Sequence, residues 1–204
     1  MYKAVKRALD AVLSGILLVL FSPILSVIWL IVLVTLGWPP IFTQTRPGYQ
    51  GIPFRMRKFR TMTQGRDASG RLLPDDARLT PMGRFLRRTS LDELPELVNV
   101  FVGDMSLVGP RPLLMEYLER YSSEQARRHE VRPGITGLAQ VSGRNALTWE
   151  EKFRLDVYYV DHMSFWTDVR ILLTTAVKVL KREGISASGY ATMPPFRGIS
   201  HHQH

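Results

Sequence analysis

The sequence predicts an α+β, mostly α, protein in which a re-entrant, monotopic membrane helix-hairpin leads into a small β-hairpin and a compact cytoplasmic helical domain carrying amphipathic interfacial helices. Three observations predict it: an uncharged run over residues 11–45 with Ser22-Pro23 near its middle, basic residues on both flanks of that run, and helical periodicity through much of the chain beyond residue 80. A run of this length passes the roughly 20 apolar residues a bilayer-spanning helix needs. Pro23 cannot donate to the carbonyl of Val19 and crowds that turn, so a bend is expected at Ser22-Pro23, where the Ser22 side chain can satisfy a freed backbone group. The arms over residues 11–22 and 23–38 would then reach about 18 Å and about 24 Å, each short of a hydrocarbon core of about 30 Å. Lys3, Lys6 and Arg7 precede the run, and Arg46, Arg55, Arg57, Lys58 and Arg60 come after it, so the positive-inside rule puts both ends on the cytoplasmic side. A single span with a proline kink is the competing reading. A cleaved signal peptide is not expected, because the apolar region is too long and no small-residue cleavage site comes after it.

With residues 1–40 assigned to the membrane, residues 41–185 are expected to form one cytoplasmic domain large enough to bury a core, and residues 186–204 a tail. The 27 basic side chains against 18 acidic ones, net +9, suit either nucleic acid or an anionic membrane surface. The apolar run favours membrane lipids over nucleic acid. There is no cysteine, which excludes disulfides, cysteine-ligated zinc and a thiol nucleophile and fits a cytoplasmic face. The terminal His201-His202-Gln203-His204 is either native or added and carries no functional weight.

After the membrane segment, residues 41–45 and 54–62 read as two short strands around a turn rich in Pro47, Gly48, Gly51 and Pro53. Residues 64–76 are polar, with Gly65, Gly70 and Pro74, and read as an exposed loop. A short basic helix is expected over 82–88 and a longer one over 115–129. Thr148-Trp149-Glu150-Glu151 matches a capping box that opens another helix, with Phe153, Val157 and Val160 on one face and Asp156 beside them. The last helix runs over 164–183, its apolar side formed by Phe165, Val169, Leu172, Leu173, Ala176 and Leu180, with Gly184 as its stop. Trp166, Lys178 and Lys181 suit a helix lying in lipid headgroups, although a core-packing helix has the same pattern.

The chemistry centres on residues 89–97, where Asp92 and Glu93 come after the basic stretch Arg84, Arg87 and Arg88. One reading is a capping box from Ser90 to Glu93, its acids stabilised by the positive end of a helix. Pro95 weakens it, because proline is comfortable only in the first turn of a helix. If the helix starts nearer 92–94, Asp92 sits at an exposed, electropositive terminus. Such a place suits a carboxylate nucleophile attacking phosphorus, with arginines stabilising the phosphoryl oxygens and a divalent metal shielding the carboxylate. Arg111 is clamped between Pro110 and Pro112 and presented from a stiff turn, which suits bidentate phosphate recognition. Arg132-Pro133-Gly134 and Ser142-Gly143-Arg144-Asn145 add glycine-exposed N–H groups next to arginine, and together these loops outline a polyanion site.

Lys58-Phe59-Arg60-Thr61-Met62, Ser90-Leu91-Asp92-Glu93-Leu94-Pro95, Asp104-Met105-Ser106-Leu107-Val108-Gly109-Pro110-Arg111-Pro112 and Arg132-Pro133-Gly134-Ile135-Thr136-Gly137-Leu138 occur in the order seen in the bacterial sugar transferases, the monotopic phosphoglycosyl transferases. The resemblance covers nearly the whole chain and is to the small, minimal members. The stretch with Glu183-Gly184-Ile185 and Ala191-Thr192-Met193-Pro194 resembles the bacillosamine-type enzymes. The resemblance implies transfer of a phosphosugar from a UDP-sugar to undecaprenyl phosphate at the bacterial inner membrane, with release of UMP. It also implies attack by Asp92, a covalent aspartyl intermediate, and Mg²⁺ bound at Asp92, with Glu93 assisting. Arg88, Arg111 and Arg144 are implied phosphate ligands, Lys58 and Asp156 supporting residues, and Ser22-Pro23 the break in the membrane helix. Whether the chain forms a homodimer, and which sugar it takes, are left open. A metal-dependent glycosyltransferase releasing UDP and a non-catalytic membrane scaffold are the competing readings.

Overall fold

The computed structural model describes residues 2–143, 146–181, 195, 196 and 198. It opens with α1, Tyr2–Leu36, a single helix that continues through Pro23. At about 1.5 Å per residue it is some 50 Å long. The backbone stays helical across the Ser22-Pro23 position where the bend is expected. The Ser22 hydroxyl donates to the Val19 carbonyl at 2.8 Å, which is the group Pro23 leaves without a partner. That local repair is why the proline is tolerated.

Each end of α1 is tied to the domain after it. At the start, Lys6 Nζ lies 2.6 Å from Asp168, Tyr2 donates to the same carboxylate at 2.7 Å, and Asp10 accepts from Ser106 Oγ at 2.7 Å. Arg7 donates to the carbonyls of Val100 and Phe101. At the far end, Arg60 donates to the carbonyls of Gly37 and Trp38. Between them Leu17, Leu18, Phe21, Leu25, Ile28 and Val32 pack on the domain, in steps that trace one helical face. The other faces expose Val12, Leu13, Ile16, Val19, Leu20, Ile24, Val27 and Leu30. Among the described residues, α1 is the one helix long and apolar enough to cross a membrane.

The β-hairpin comes next as β1, Ile41–Pro47, and β2, Pro53–Phe59, antiparallel with Phe42 opposite Lys58. The two-residue period puts Lys58 on the face of Phe54 and Met56, which enter the core. After a loop with a short helix α2, Asp75–Arg78, comes α3, Pro81–Thr89, with Thr80 accepting from the Gly83 N–H as N-cap. A Cβ on Gly83 would stand 2.0 Å from the Thr61 carbonyl oxygen, so only glycine lets α3 lie this close to the end of β2.

Ser90, in the left-handed region at φ 58°, turns the chain into a 3₁₀ turn, Leu91–Glu93, and then α4, Glu96–Val102. The expected Ser90–Glu93 capping box is not formed, because Ser90 closes α3 instead of opening the next helix. Asn99 of α4 is fully buried and ties it to β2, accepting from the Arg57 N–H and donating to the Arg55 carbonyl.

Two short parallel strands, β3, Ser106–Val108, and β4, Gly134–Thr136, carry the Arg111 loop. A Cβ on Gly134 would meet the Gly109 nitrogen at 2.1 Å. The helix expected over 115–129 is instead a 3₁₀ segment, Met115–Arg120, one turn α5, Ser123–Ala126, and a second 3₁₀ segment, Arg127–Glu130. The reason is local: Ser122 forms a capping box with Gln125, which needs extended backbone at Ser122 and ends the preceding segment. The chain then runs through α6, Leu138–Ser142, α7, Trp149–Asp161, with the expected Thr148–Glu151 capping box, and α8, Phe165–Lys181. On α8, Phe165, Trp166, Leu173 and Val177 are exposed, whereas Ile171 is buried in the core.

Candidate active site

Three carboxylates, two of them paired with cations, form the site. Lys58 Nζ, on the inward face of β2, lies 2.6 Å from Glu93 Oε1 and 3.1 Å from Glu96 Oε1. Arg111 Nη2 reaches the same Glu93 oxygen at 2.6 Å from the Pro110-Pro112 turn. Glu93 thus holds two cations that come from elements far apart in the chain. Asp92, one residue earlier, is 8 % exposed and forms no ion pair among the described residues. The exposed Asp92 expected from the sequence is corrected: the tight turn after Ser90 folds it against α3 and β2.

The electrostatics separate the three acids. Burial and the neighbouring Glu93 push Asp92 above the usual carboxylate range, and Lys58, Arg87 and Arg111 pull it back. Burial also opposes ionisation of Glu93, but Arg111 and Lys58 together outweigh it and hold Glu93 well below its ordinary value. Glu96 is pushed up to about 7 by burial and by Glu93. Arg111 is held charged, chiefly by Glu93. At neutral pH the result is an ionised Glu93 clamped between cations and a more basic, poorly solvated Asp92 beside it.

Asp156 lies farther back, on α7. Its Oδ2 accepts from Arg128 Nε at 3.0 Å and Nη2 at 2.7 Å, and Arg128 Nη2 also donates to the Arg111 carbonyl at 2.8 Å. Asp156 therefore reaches the site through Arg128 and the backbone of Arg111. Arg88 is exposed on α3, and Arg87, which donates to Thr61 Oγ1 at 3.1 Å, is the α3 arginine that bears on Asp92. Arg144 lies outside the described residues. The structure thus gathers Asp92, Glu93, Lys58 and Arg111, sets Asp156 one step behind them, and leaves Arg88 at the surface.

Sequence reasoning missed Glu96 and Arg128, and named Arg87 only as one of the basic stretch. Glu96 was visible as a third acid one turn past Asp92. Nothing local separated Arg128 from Arg127, since its partner lies 28 residues on.

The chain belongs to the bacterial sugar transferase family, which it matches over residues 1–182. It is 53 % identical over 193 residues to the uncharacterized sugar transferase EpsL of Bacillus subtilis, covering 95 % of this chain and 96 % of that protein. Over 196 residues it is 40 % identical to the undecaprenyl-phosphate galactose phosphotransferase of Salmonella typhimurium, covering 88 % of this chain but 41 % of that protein. Over 186 residues it is 41 % identical to the UDP-glucose:undecaprenyl-phosphate glucose-1-phosphate transferase of Caulobacter vibrioides, covering 86 % of this chain and 69 % of that one. The chain thus spans about two fifths of the Salmonella relative's length.

Proposed function

We propose that this chain transfers a phosphosugar from a UDP-sugar to undecaprenyl phosphate, the first membrane step of glycoconjugate assembly, by a two-step exchange through Asp92. The observation that carries the reading is the division of labour among the carboxylates: Glu93 and Glu96 face Lys58, Glu93 also takes Arg111, and Asp92 is left unpaired beside them. The activities for which the Salmonella and Caulobacter relatives are named support the same reaction class.

In the first step an Asp92 carboxylate oxygen forms a bond to the sugar-linked phosphorus, and the bond from that phosphorus to the UMP oxygen breaks, releasing UMP. Lys58, Arg87 and Arg111 meet the charge on the phosphoryl oxygens. In the second step an oxygen of undecaprenyl phosphate attacks the same phosphorus and Asp92 leaves, giving undecaprenyl diphosphosugar. Ping-pong kinetics are the consequence, since UMP departs before the polyprenyl phosphate reacts.

Mg²⁺ typically binds through one or two carboxylates plus substrate phosphates. Among the described residues no group of three acidic or histidine side chains is placed to ligate one ion, and Asp92 is the acid left uncommitted, so its carboxylate fits a shared site of that kind. The ion would supply charge neutralisation at the diphosphate. Glu93 keeps Lys58 and Arg111 aimed at the site until a phosphate takes them.

The exposed apolar faces of α1, with both of its ends held by the domain, support a monotopic seat on the cytoplasmic face of the inner membrane. There the prenyl tail of one substrate stays in lipid while the nucleotide sugar arrives from water.

The donor sugar is tested by a panel of UDP-galactose, UDP-glucose, UDP-linked N-acetylhexosamines and UDP-diacetamido-bacillosamine, with undecaprenyl phosphate and Mg²⁺ in nanodiscs. UMP from the parent protein, falling by at least about a thousandfold in Asp92→Asn, is the expected result. UDP as the released nucleotide would make Asp92 part of a glycosyltransferase instead. No nucleotide consumed from any donor would favour a membrane-surface scaffold.

A further inference from the structure

Phe196 stands far along the chain from α7, yet it is 2 % exposed. Four rings surround its own, with centroids at 4.9 Å for Phe153, 5.6 Å for Tyr117, 5.7 Å for Trp149 and 6.0 Å for Tyr121. Its backbone is held as firmly: the N–H donates to the Tyr117 hydroxyl at 3.0 Å, and the carbonyl accepts from Arg120 Nη1 at 2.6 Å. Buried backbone groups need partners, and here both are met by side chains of the receptacle itself. This is a built seat for one phenylalanine.

The far wall of that seat is Arg128. Its guanidinium carbon lies 5.8 Å from the ring centres of both Tyr121 and Phe153, the two rings Phe196 touches by stacking and by edge contact. Arg128 also donates to Asp156 and to the Arg111 carbonyl. The order of contact is therefore Phe196, Tyr121 and Phe153, Arg128, and the backbone of Arg111.

We propose that Phe196 is a positioning residue for Arg111: seated in the aromatic receptacle, it braces Tyr121 and Phe153 against Arg128 and so fixes the loop that aims the Arg111 guanidinium. Without it, the two rings relax into the space left behind, because a large-to-small change leaves a cavity that neighbours fill only in part. Arg128 then loses two of its walls, and the Arg111 carbonyl loses a fixed donor. The consequence for phosphate binding rests on the role proposed for Arg111, whereas the mechanical link does not.

Hydrogen exchange of the full chain in nanodiscs, comparing the parent with Phe196→Ala and Phe196→Leu, tests the link without any substrate. Leu113 and Leu114 pack on the same cluster as Phe196, so the link is read at residues 108–111. The expected result is exchange roughly tenfold faster over 108–111 in Phe196→Ala, smaller in Phe196→Leu, with 41–47 unchanged. Faster exchange confined to 113–121 and 149–153 in both variants, or a uniform rise along the chain in both, overturns the proposal. UMP formation from the UDP-sugar of the donor panel that the parent turns over, measured on the same samples, should fall in kcat/KM by roughly ten- to a hundredfold in Phe196→Ala. If the parent turns over no donor of the panel while the 108–111 response persists, the phosphosugar-transfer reaction has failed and the brace stands.

Discussion

Glu96 and Glu93 differ by one turn of chain and behave as opposites. Both face Lys58, but Arg111 reaches Glu93, so Glu93 is held ionised while burial and its charged neighbour raise Glu96 to about 7. The sign comes from linkage. A carboxyl whose folded pKa is raised stabilises the fold fully below its unfolded value of 4.5 and loses that contribution as pH rises through about 7. Glu96→Gln should therefore change Tm little at pH 5 and raise it by several degrees at pH 8.5, as read by thermal unfolding at the two pH values. A fall at both would mean that Glu96 is needed as an anion for Lys58. Of these residues, Asp92, Glu93, Lys58 and Arg111 were legible because acid pair, basic motif and proline-held arginine each stand out in the chain. That Arg87 and not Arg88 turns towards Asp92 was not legible, because which α3 arginine faces inward depends on the close approach of Gly83 to Thr61, which the sequence states only as one more glycine.

Short elements with strong local signals formed as the sequence implied, and those whose ends are set by tertiary packing did not. Thr148 and Glu151 close a capping box, and Lys58 falls on the inward face of β2, because hydrogen-bonding side chains and a period of two are local facts. Residues 115–129 carry a helical pattern, yet Ser122 caps its own short turn and Tyr117 and Tyr121 leave for the aromatic cluster, so the segment breaks into three. What that broken segment achieves is the placement of Arg128 beneath the Arg111 loop. Arg128 and Asp156 are 3 % and 4 % exposed, so Arg128→Met would strand a buried carboxylate. Removing one partner of such a pair typically costs about 3–5 kcal/mol, and denaturant unfolding of the variant should show a loss of that size. An unchanged midpoint would mean that Asp156 is already neutral in the fold.

For the molecule as a whole, the arrangement of α1 decides how the two substrates meet. The helix is pinned at its start by Asp168 and at its end by Arg60, with one face on the domain and the rest apolar and exposed. A perpendicular span would carry one end about 30 Å from the domain and break one of those ties. Because the chain has no cysteine, single-cysteine variants Ala4→Cys and Thr43→Cys report topology cleanly. Both should react with an impermeant maleimide from the cytoplasmic side of sealed vesicles, and labelling from opposite sides would restore the single span. The apolar run and the repair of the Val19 carbonyl by Ser22 were plain from the sequence, whereas the ties from Asp168 and Arg60 to the two ends of α1 were not, since those partners lie far along the chain. The central claim, that Asp92 carries the phosphosugar between donor and acceptor, is tested most directly by intact-protein mass spectrometry after mixing the protein with Mg²⁺ and the UDP-sugar it turns over, without undecaprenyl phosphate. The expected result is an added mass of one phosphosugar with release of UMP, absent in Asp92→Asn and discharged when undecaprenyl phosphate is supplied; turnover to product with no such adduct, an adduct that persists in Asp92→Asn, or release of UDP would overturn the claim.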